Sequence, residues 1–302
     1  EGSRLDEVVG DQVARALGAA ASRSAIRRLI MAGAVSAAGR PLRSPGRPLR
    51  AGTWLDVRVE PAKLAPPADA AAGWRITRDA ILFADGALLA VDKPVGLPTT
   101  PTADPRRPSL VAAVQAHLAA AGAEPYVGVH QRLDRDTSGV VLFVTDRRAN
   151  AALARQLTEG RVEKTYLALA ARPSPLPPPA WEVSGPLGAG GPQAHTRFRR
   201  LEAHAHGLVI EARPVTGRKH QIRIQLASAG MPLLGDAAYG GPEVVGEERV
   251  PRAMLHAARL QLRHPLSGAP LTLESAPPAD FARALAALRR PPRATRTLRG
   301  GR

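Results

Sequence analysis

Five consecutive apolar residues, Val140-Val141-Leu142-Phe143-Val144, stand between a polar loop and Thr145-Asp146. A run of that length bounded by turn formers predicts a buried strand. Near the start of the chain the pattern differs. Leu5, Val8, Val9, Val13 and Leu17 repeat at helical spacing, and Ser3 with Asp6 is expected to form a capping box ahead of them. A second helix is predicted after Ser22, ending at Gly33, with Ile26, Leu29 and Ile30 as its apolar face. Arg23 and Arg27 share another face at i, i+4 spacing, and Arg28 lies beside them. Residues 54–59 alternate as a half-buried strand does.

These elements form a small module over residues 3–60. Residues 61–73 have the Pro- and Ala-rich composition of a linker. A larger domain is expected over residues 74–290. It opens with strands at 81–83 and 88–91, split by the hairpin signal Asp85-Gly86. Helices are predicted over 109–118, 149–159 and 220–229, and strands over 162–170, 197–201, 208–213, 260–263 and 271–274. Residues 172–193 are rich in Pro and Gly and read as a loop or insertion. The sum is an α+β fold with mostly hairpin connections, hence a mixed, mostly antiparallel sheet. The basic tail over 291–302 has almost no apolar content and is expected to be disordered.

Charge narrows the partners. With 42 Lys and Arg against 26 Asp and Glu, the net charge of +16 points to a polyanion, most often nucleic acid. No amphipathic anchor helix with bulky apolar residues supports a membrane surface, and no run reaches spanning length. The first twenty residues lack a signal-peptide pattern, so a cytoplasmic protein is expected. The absence of cysteine excludes disulfides, thiolate zinc sites and cysteine nucleophiles. Aromatics at 3% exclude a multi-aromatic base-stacking platform. His204, His206, His256 and His264 lack acidic companions at ligand spacing, so no metal is expected.

The chemistry concentrates in His130-Gln131-Arg132-Leu133-Asp134-Arg135-Asp136-Thr137-Ser138-Gly139. Asp134 stands between Arg132 and Arg135, and neighbouring guanidinium groups favour an ionised carboxylate, the form a nucleophile needs. The strand behind the loop gives it a rigid anchor. On the strand at 162–170, Lys164 and Tyr166 share a face. In Thr216-Gly217-Arg218-Lys219-His220-Gln221-Ile222-Arg223 the chain turns into a helix, with Arg218 in the turn and Arg223 in the first helical turn. From the residues alone, two rivals remain beside an RNA-directed enzyme. A noncatalytic RNA-binding factor fits the charge. An aspartyl phosphatase fits Asp134 and Asp136, although Thr137 then falls one place early and the strand lies on the wrong side of the motif.

The loop motif, with its Arg-Leu-Asp core and Thr-Ser-Gly, resembles the signature of the RluA-type RNA pseudouridine synthases. So do Lys164-x-Tyr166, the intact Thr-Gly-Arg-x-His-Gln-x-Arg pattern, Leu234-Gly235-Asp236-Ala237-Ala238-Tyr239-Gly240, and Val91-Asp92-Lys93-Pro94-Val95-Gly96. The N-terminal module resembles the ribosomal S-four-type RNA-binding domain through Arg4-Leu5-Asp6, Ser22-Arg23-Ser24, Leu29-Ile30, Gly33-Ala34-Val35 and Gly52. The resemblance implies that Asp134 is the catalytic aspartate, that Tyr166 packs on the target base, and that Arg223 pairs with Asp134. It implies RNA as partner, with ribosomal RNA favoured and transfer RNA the alternative, and no cofactor. A monomer is expected. RNA contacts are expected from Arg23, Arg27 and Arg28 of the module, and from Arg218 and Lys164. Arg132, with Arg135 beside it, is expected to hold phosphates or to fill the space left by a flipped nucleotide. The Gly235–Gly240 turn reads as structural, and Lys93 reads as a phosphate contact or an exposed side chain. The aspartate has three routes open: attack on carbon 6, attack on the anomeric carbon, or assistance to glycal formation.

Overall fold

The computed structural model describes residues 3–18, 26, 29–30, 34–42, 44–58, 74–102, 108–124, 126–188 and 190–291. The chain divides into two compact units, residues 1–69 and 70–302.

In the first unit, α1 (Leu5–Leu17) presents Leu5, Val9 and Val13 along one stripe. They bury against Ile26, Leu29 and Ile30, themselves helical, and against Val35 and Leu42. Strands β1 (Val35–Ala37), β2 (Arg40–Pro41) and β3 (Asp56–Val57) form a small antiparallel sheet in the order β2-β1-β3. Two expectations need correction. The capping box does not form: Arg4 is the N-cap, and Asp6 instead accepts from the Arg4 guanidinium at 3.0 and 3.1 Å. The first helical N–H groups need no side-chain cap, because Leu5 and Asp6 donate to the carbonyls of Arg47 and Pro45. Of the strand expected over 54–59, the described residues pair Asp56 and Val57 with β1, which is only three residues long, and Val59 lies outside them. Trp54 is 91% exposed. Arg23, Arg27, Arg28, the linker over 61–73 and the tail beyond 291 lie outside the described residues.

The second unit begins with β4 (Ile81–Ala84), β5 (Leu88–Lys93), α2 (Leu110–Ala120), β6 (Gly128–Val129) and β7 (Ser138–Val144). Then come α3 (Asn150–Thr158), β8 (Glu163–Ala170), β9 (Ala180–Pro186), β10 (Gln193–His204), β11 (Gly207–Pro214) and α4 (Gln221–Ser228). Strands β12 (Val244–Val245) and β13 (Glu248–Arg249) form a small ribbon, followed by β14 (Leu255–Arg263), β15 (Pro270–Glu274) and α5 (Ala279–Arg289). Among the described residues one ten-stranded sheet runs β4-β5-β7-β14-β8-β11-β10-β9, with β15 on β14 and β6 on β7. The described pairings are antiparallel except β7 with β14.

The apolar run of β7 is explained by burial on both faces. Val140, Leu142 and Val144 enter one core cluster while Val141 and Phe143 enter another. Its neighbour β5 divides in the same way, Leu88 and Ala90 against Leu89 and Val91. Each large side chain so buried contributes roughly 2 kcal/mol. Gly139 sits where β7 meets β14. A Cβ there would lie 2.2 Å from the Ala257 carbonyl oxygen, and φ is +112°, so only glycine fits.

The stretch 172–193 is not simply a loop. It contains β9, an edge strand paired along its length with β10. Trp181 and Val183 pack inward, and Trp181 stacks on Phe198 with ring centroids 5.3 Å apart. An edge strand covers one face only, so its short alternation is masked by the surrounding prolines and glycines.

Candidate active site

Asp134 lies in a turn just ahead of β7, closed by the Thr137 N–H donating to the Asp134 carbonyl. The turn is fastened by its main chain. Leu133 donates to Thr99 Oγ1 at 3.1 Å, and Thr99 Oγ1 donates back to the Leu133 carbonyl at 2.9 Å. The Arg135 carbonyl accepts from the Gly96 N–H at 2.9 Å and from Lys93 Nζ at 3.0 Å. The Asp136 carbonyl accepts from Arg252, whose guanidinium is buried and clamped on Asp280 at 2.6 and 3.0 Å.

Lys93 corrects the expectation of a phosphate contact or an exposed side chain. It is fully buried, and its amine also donates to the carbonyls of Pro94 and Leu97, both at 2.8 Å. Burial lowers its pKa to about 7, against the pull of Asp136.

The carboxylate of Asp134 is 28% exposed and faces two groups from the Thr216–Arg223 segment. Arg223 Nη1 lies 3.7 Å from Oδ2, and His220 Nε2 lies 3.6 Å from Oδ1. Its chain neighbours point elsewhere: Arg132 is exposed, and Arg135 pairs with Asp136 at 3.2 Å. The turn at 134–137 makes adjacent side chains diverge, so the cation that meets Asp134 comes from far along the sequence.

Arg223 is held more tightly by a second acid. Its Nε and Nη2 each lie 2.7 Å from the Asp236 carboxylate, which is almost fully buried. Burial opposes the charge on Arg223, but the bond to Asp236 and the fields of Asp236 and Asp134 outweigh it and raise its pKa. Its guanidinium also stands over the Tyr239 ring, 5.0 Å from the centroid. Asp236 and Tyr239 belong to the turn that the sequence suggested was only structural. Their signal was present, since an acid and a tyrosine in one Gly-bounded turn invite a cation, but their partner was not visible.

The turn ahead of α4 is built around the motif's glutamine. Gln221 Oε1 accepts from Thr216 Oγ1 at 2.7 Å and from the Arg218 N–H at 3.0 Å, while its Nε2 donates to the His195 carbonyl and to Thr196. This fixes the turn on β10 and leaves Arg218 exposed, with Nε on the Gln193 carbonyl at 3.1 Å.

Tyr166 completes the group. The sheet register aligns Lys93, Gly139, Ala257, Tyr166 and Ala212 in one row across β5, β7, β14, β8 and β11. Small residues flank the tyrosine, which packs with both Leu133 and Phe198 clusters. Burial, then the charge of Asp134, raises its pKa, so the phenol stays protonated. Lys164, two residues earlier, is half-buried, and burial lowers its pKa. His256 bridges Ser138 Oγ and the Ser275 carbonyl at 3.0 and 2.9 Å, a strut under the start of β7.

A mixed sheet that seats a partly accessible carboxylate against a clamped arginine, with a protonated tyrosine two strands away from the loop's anchor, suits an enzyme acting on a nucleotide. The family model described as RNA pseudouridylate synthase matches residues 87–228, and the S4 domain model matches residues 11–55. An RNA pseudouridine synthase of Bacillus subtilis, itself uncharacterized, is 34% identical over 215 residues, covering 67% of this chain and 69% of the relative. The ribosomal large subunit pseudouridine synthase D of Xanthomonas campestris is 32% identical over 289 residues, covering 89% and 85%. Human RNA pseudouridylate synthase domain containing 4 superposes with a TM-score of 0.59 at 25% identity, over 70% of this chain and 95% of that one. The chain belongs to the RNA pseudouridylate synthase family, as the motif resemblance implied, and isomerises uridine in RNA to pseudouridine.

Proposed function

We propose that Asp134 is the catalytic aspartate of this isomerase and that large-subunit ribosomal RNA is its substrate. The observation that carries the first part is a contrast among acids. Asp134 is partly open and faces Arg223 and His220, whereas Asp236 is buried on Arg223 and Asp136 is engaged by Arg135. The second part rests on relatives named for the large ribosomal subunit, in Nitrosomonas europaea, Xanthomonas campestris and Pseudomonas aeruginosa. The S4 domain supports RNA as the partner and, joined to the catalytic unit in one chain, raises the local RNA concentration.

In the reaction the bond from N1 of uracil to the ribose breaks, the base turns, and carbon 5 takes the ribose. A proton leaves carbon 5 and one is gained at N1, so no redox partner or group carrier is needed. The target nucleotide leaves its stack to reach Asp134. Tyr166 packs against the flipped base, and Arg223 orients the carboxylate. Arg132, Arg135, Arg218 and Lys164 take phosphates around the opening, and Arg23, Arg27 and Arg28 do so in the S4 domain.

The test is tritium release from ribosomal RNA labelled at carbon 5 of uridine. The intact protein releases tritium. Asp134→Asn lowers turnover by about a thousandfold or more while RNA affinity stays within a few-fold. Substantial turnover by the variant sinks the assignment of Asp134. Release from transfer RNA but not from ribosomal RNA sinks the substrate.

A further inference from the structure

His220 opens α4 in the left-handed region, with φ 55° and ψ 21°. Residues with a side chain rarely adopt that conformation, because Cβ crowds the following carbonyl. The conformation turns the imidazole between Tyr239 and Asp134. Nδ1 lies 2.8 Å from the Tyr239 hydroxyl, and the two rings meet edge-on at 5.7 Å and 88°. Nε2 faces Asp134 Oδ1 at 3.6 Å.

This arrangement selects a tautomer. Nε2 faces a carboxylate, which can only accept, so Nδ1 is left without a proton and accepts from the Tyr239 hydroxyl. The ring proton of a neutral imidazole then sits on Nε2, pointing at Asp134. Four charged groups act on the ring. Asp134 and Asp236 favour its protonation, Arg223 and Lys219 oppose it, and burial, the largest effect, keeps it below the ordinary histidine value. The ring therefore offers a directional N–H and not a second cation beside Arg223.

We propose that His220 is a positioning residue for the isomerisation: through a Tyr239–His220–Asp134 chain it fixes Oδ1 of the aspartate while Arg223 fixes Oδ2. The proposal rests on the reading of Asp134 as the catalytic group. With one donor on each oxygen, rotation of the carboxylate is checked and the same lone pair faces the substrate in each turnover. The 3.6 Å separation closes to hydrogen-bonding distance when bound RNA displaces water.

Two amides split the two halves of this chain. Asparagine places its polar atoms where Nδ1 was, keeping the link to Tyr239 and losing Asp134. Glutamine places an N–H where Nε2 was, keeping Asp134 and losing Tyr239. Asparagine also tolerates the left-handed region better. In the full chain, assayed on a transcript of large-subunit ribosomal RNA tritiated at carbon 5, His220→Asn lowers kcat about tenfold with KM within about twofold. His220→Gln restores most of that loss although its melting midpoint is the lower of the two. A purely structural histidine gives the reverse, activity following melting midpoint, and that order overturns the proposal. So does wild-type kcat in His220→Asn. Asp134→Asn run alongside separates the two claims. If it is inactive and the His220 variants are silent, only the role of His220 falls. If it turns over, the aspartate reading falls and takes this one with it.

Discussion

The loop carrying Asp134 and the turn carrying Arg223 face one another but are fastened in different ways. On the loop side the contacts are main-chain: the carbonyls of Leu133, Arg135 and Asp136 are each met by a donor from elsewhere in the fold. On the turn side they are side-chain: Arg223 on Asp236, and His220 on Tyr239. Main-chain fastening sets where the carboxylate is, with little dependence on the loop's own side chains. Side-chain fastening sets what charge the carboxylate sees, and depends on each partner. Position and electrostatics are thus controlled from opposite sides of the site.

The sharpest way to separate them is Asp236→Asn. It leaves a buried guanidinium without its tight partner and is expected to cost about 3 kcal/mol in urea denaturation, near the low end for breaking a buried pair because Asp134 remains nearby. Turnover falls with it, mainly in kcat. Unchanged stability would mean that the clamp does not carry the turn.

Gly139→Ala attacks the loop side at its root. The added Cβ meets the Ala257 carbonyl at 2.2 Å with φ at +112°. The expected loss is about 2–3 kcal/mol, read by the same denaturation. A neutral result would show that β7 and β14 separate freely and that the main-chain side is soft.

The smallest effect is expected from Lys93→Met, which strips the amine from three carbonyls at about 1–2 kcal/mol near neutrality. Its sign with pH is distinctive. Lys93 ionises at about 7 in the fold and at 10.5 unfolded. Below pH 7 both states hold the proton and the cost of the buried charge is present in full. Between about 7 and 10.5 the unfolded chain holds more protons, so the contribution of this group to stability rises with pH. The advantage of the wild type over Lys93→Met therefore widens from pH 7 to pH 9. A constant gap would mean that Lys93 stays charged in the fold.

The sequence made one side of this comparison more legible than the other. The buried run over 140–144, the hairpin at Asp85-Gly86 and the Thr-Gly-Arg turn all announce themselves locally, through periodicity and turn residues. Asp134 and Arg223 stood out because each lies in a distinctive motif. Lys93 did not, because its third acceptor, the Arg135 carbonyl, lies 42 residues away, and a lysine before proline looks like any surface lysine. The sequence shows Asp236 as a turn residue and not as the clamp on Arg223 for the same reason: its partner is 13 residues back on another element. Strand β9 was hidden by its composition, since an edge strand needs only Trp181 and Val183 facing inward.

Strand β7 is buried at every position from Ser138 to Val144, whereas β9 at the rim exposes every second residue. Fluctuations that open the sheet begin at such rims, where few contacts must be surrendered, and reach the middle only when the whole domain unfolds. Asp134 is attached to the part of the molecule that opens last. The outer strands can breathe on their own clock without changing the register of the strand that follows the Asp134 loop.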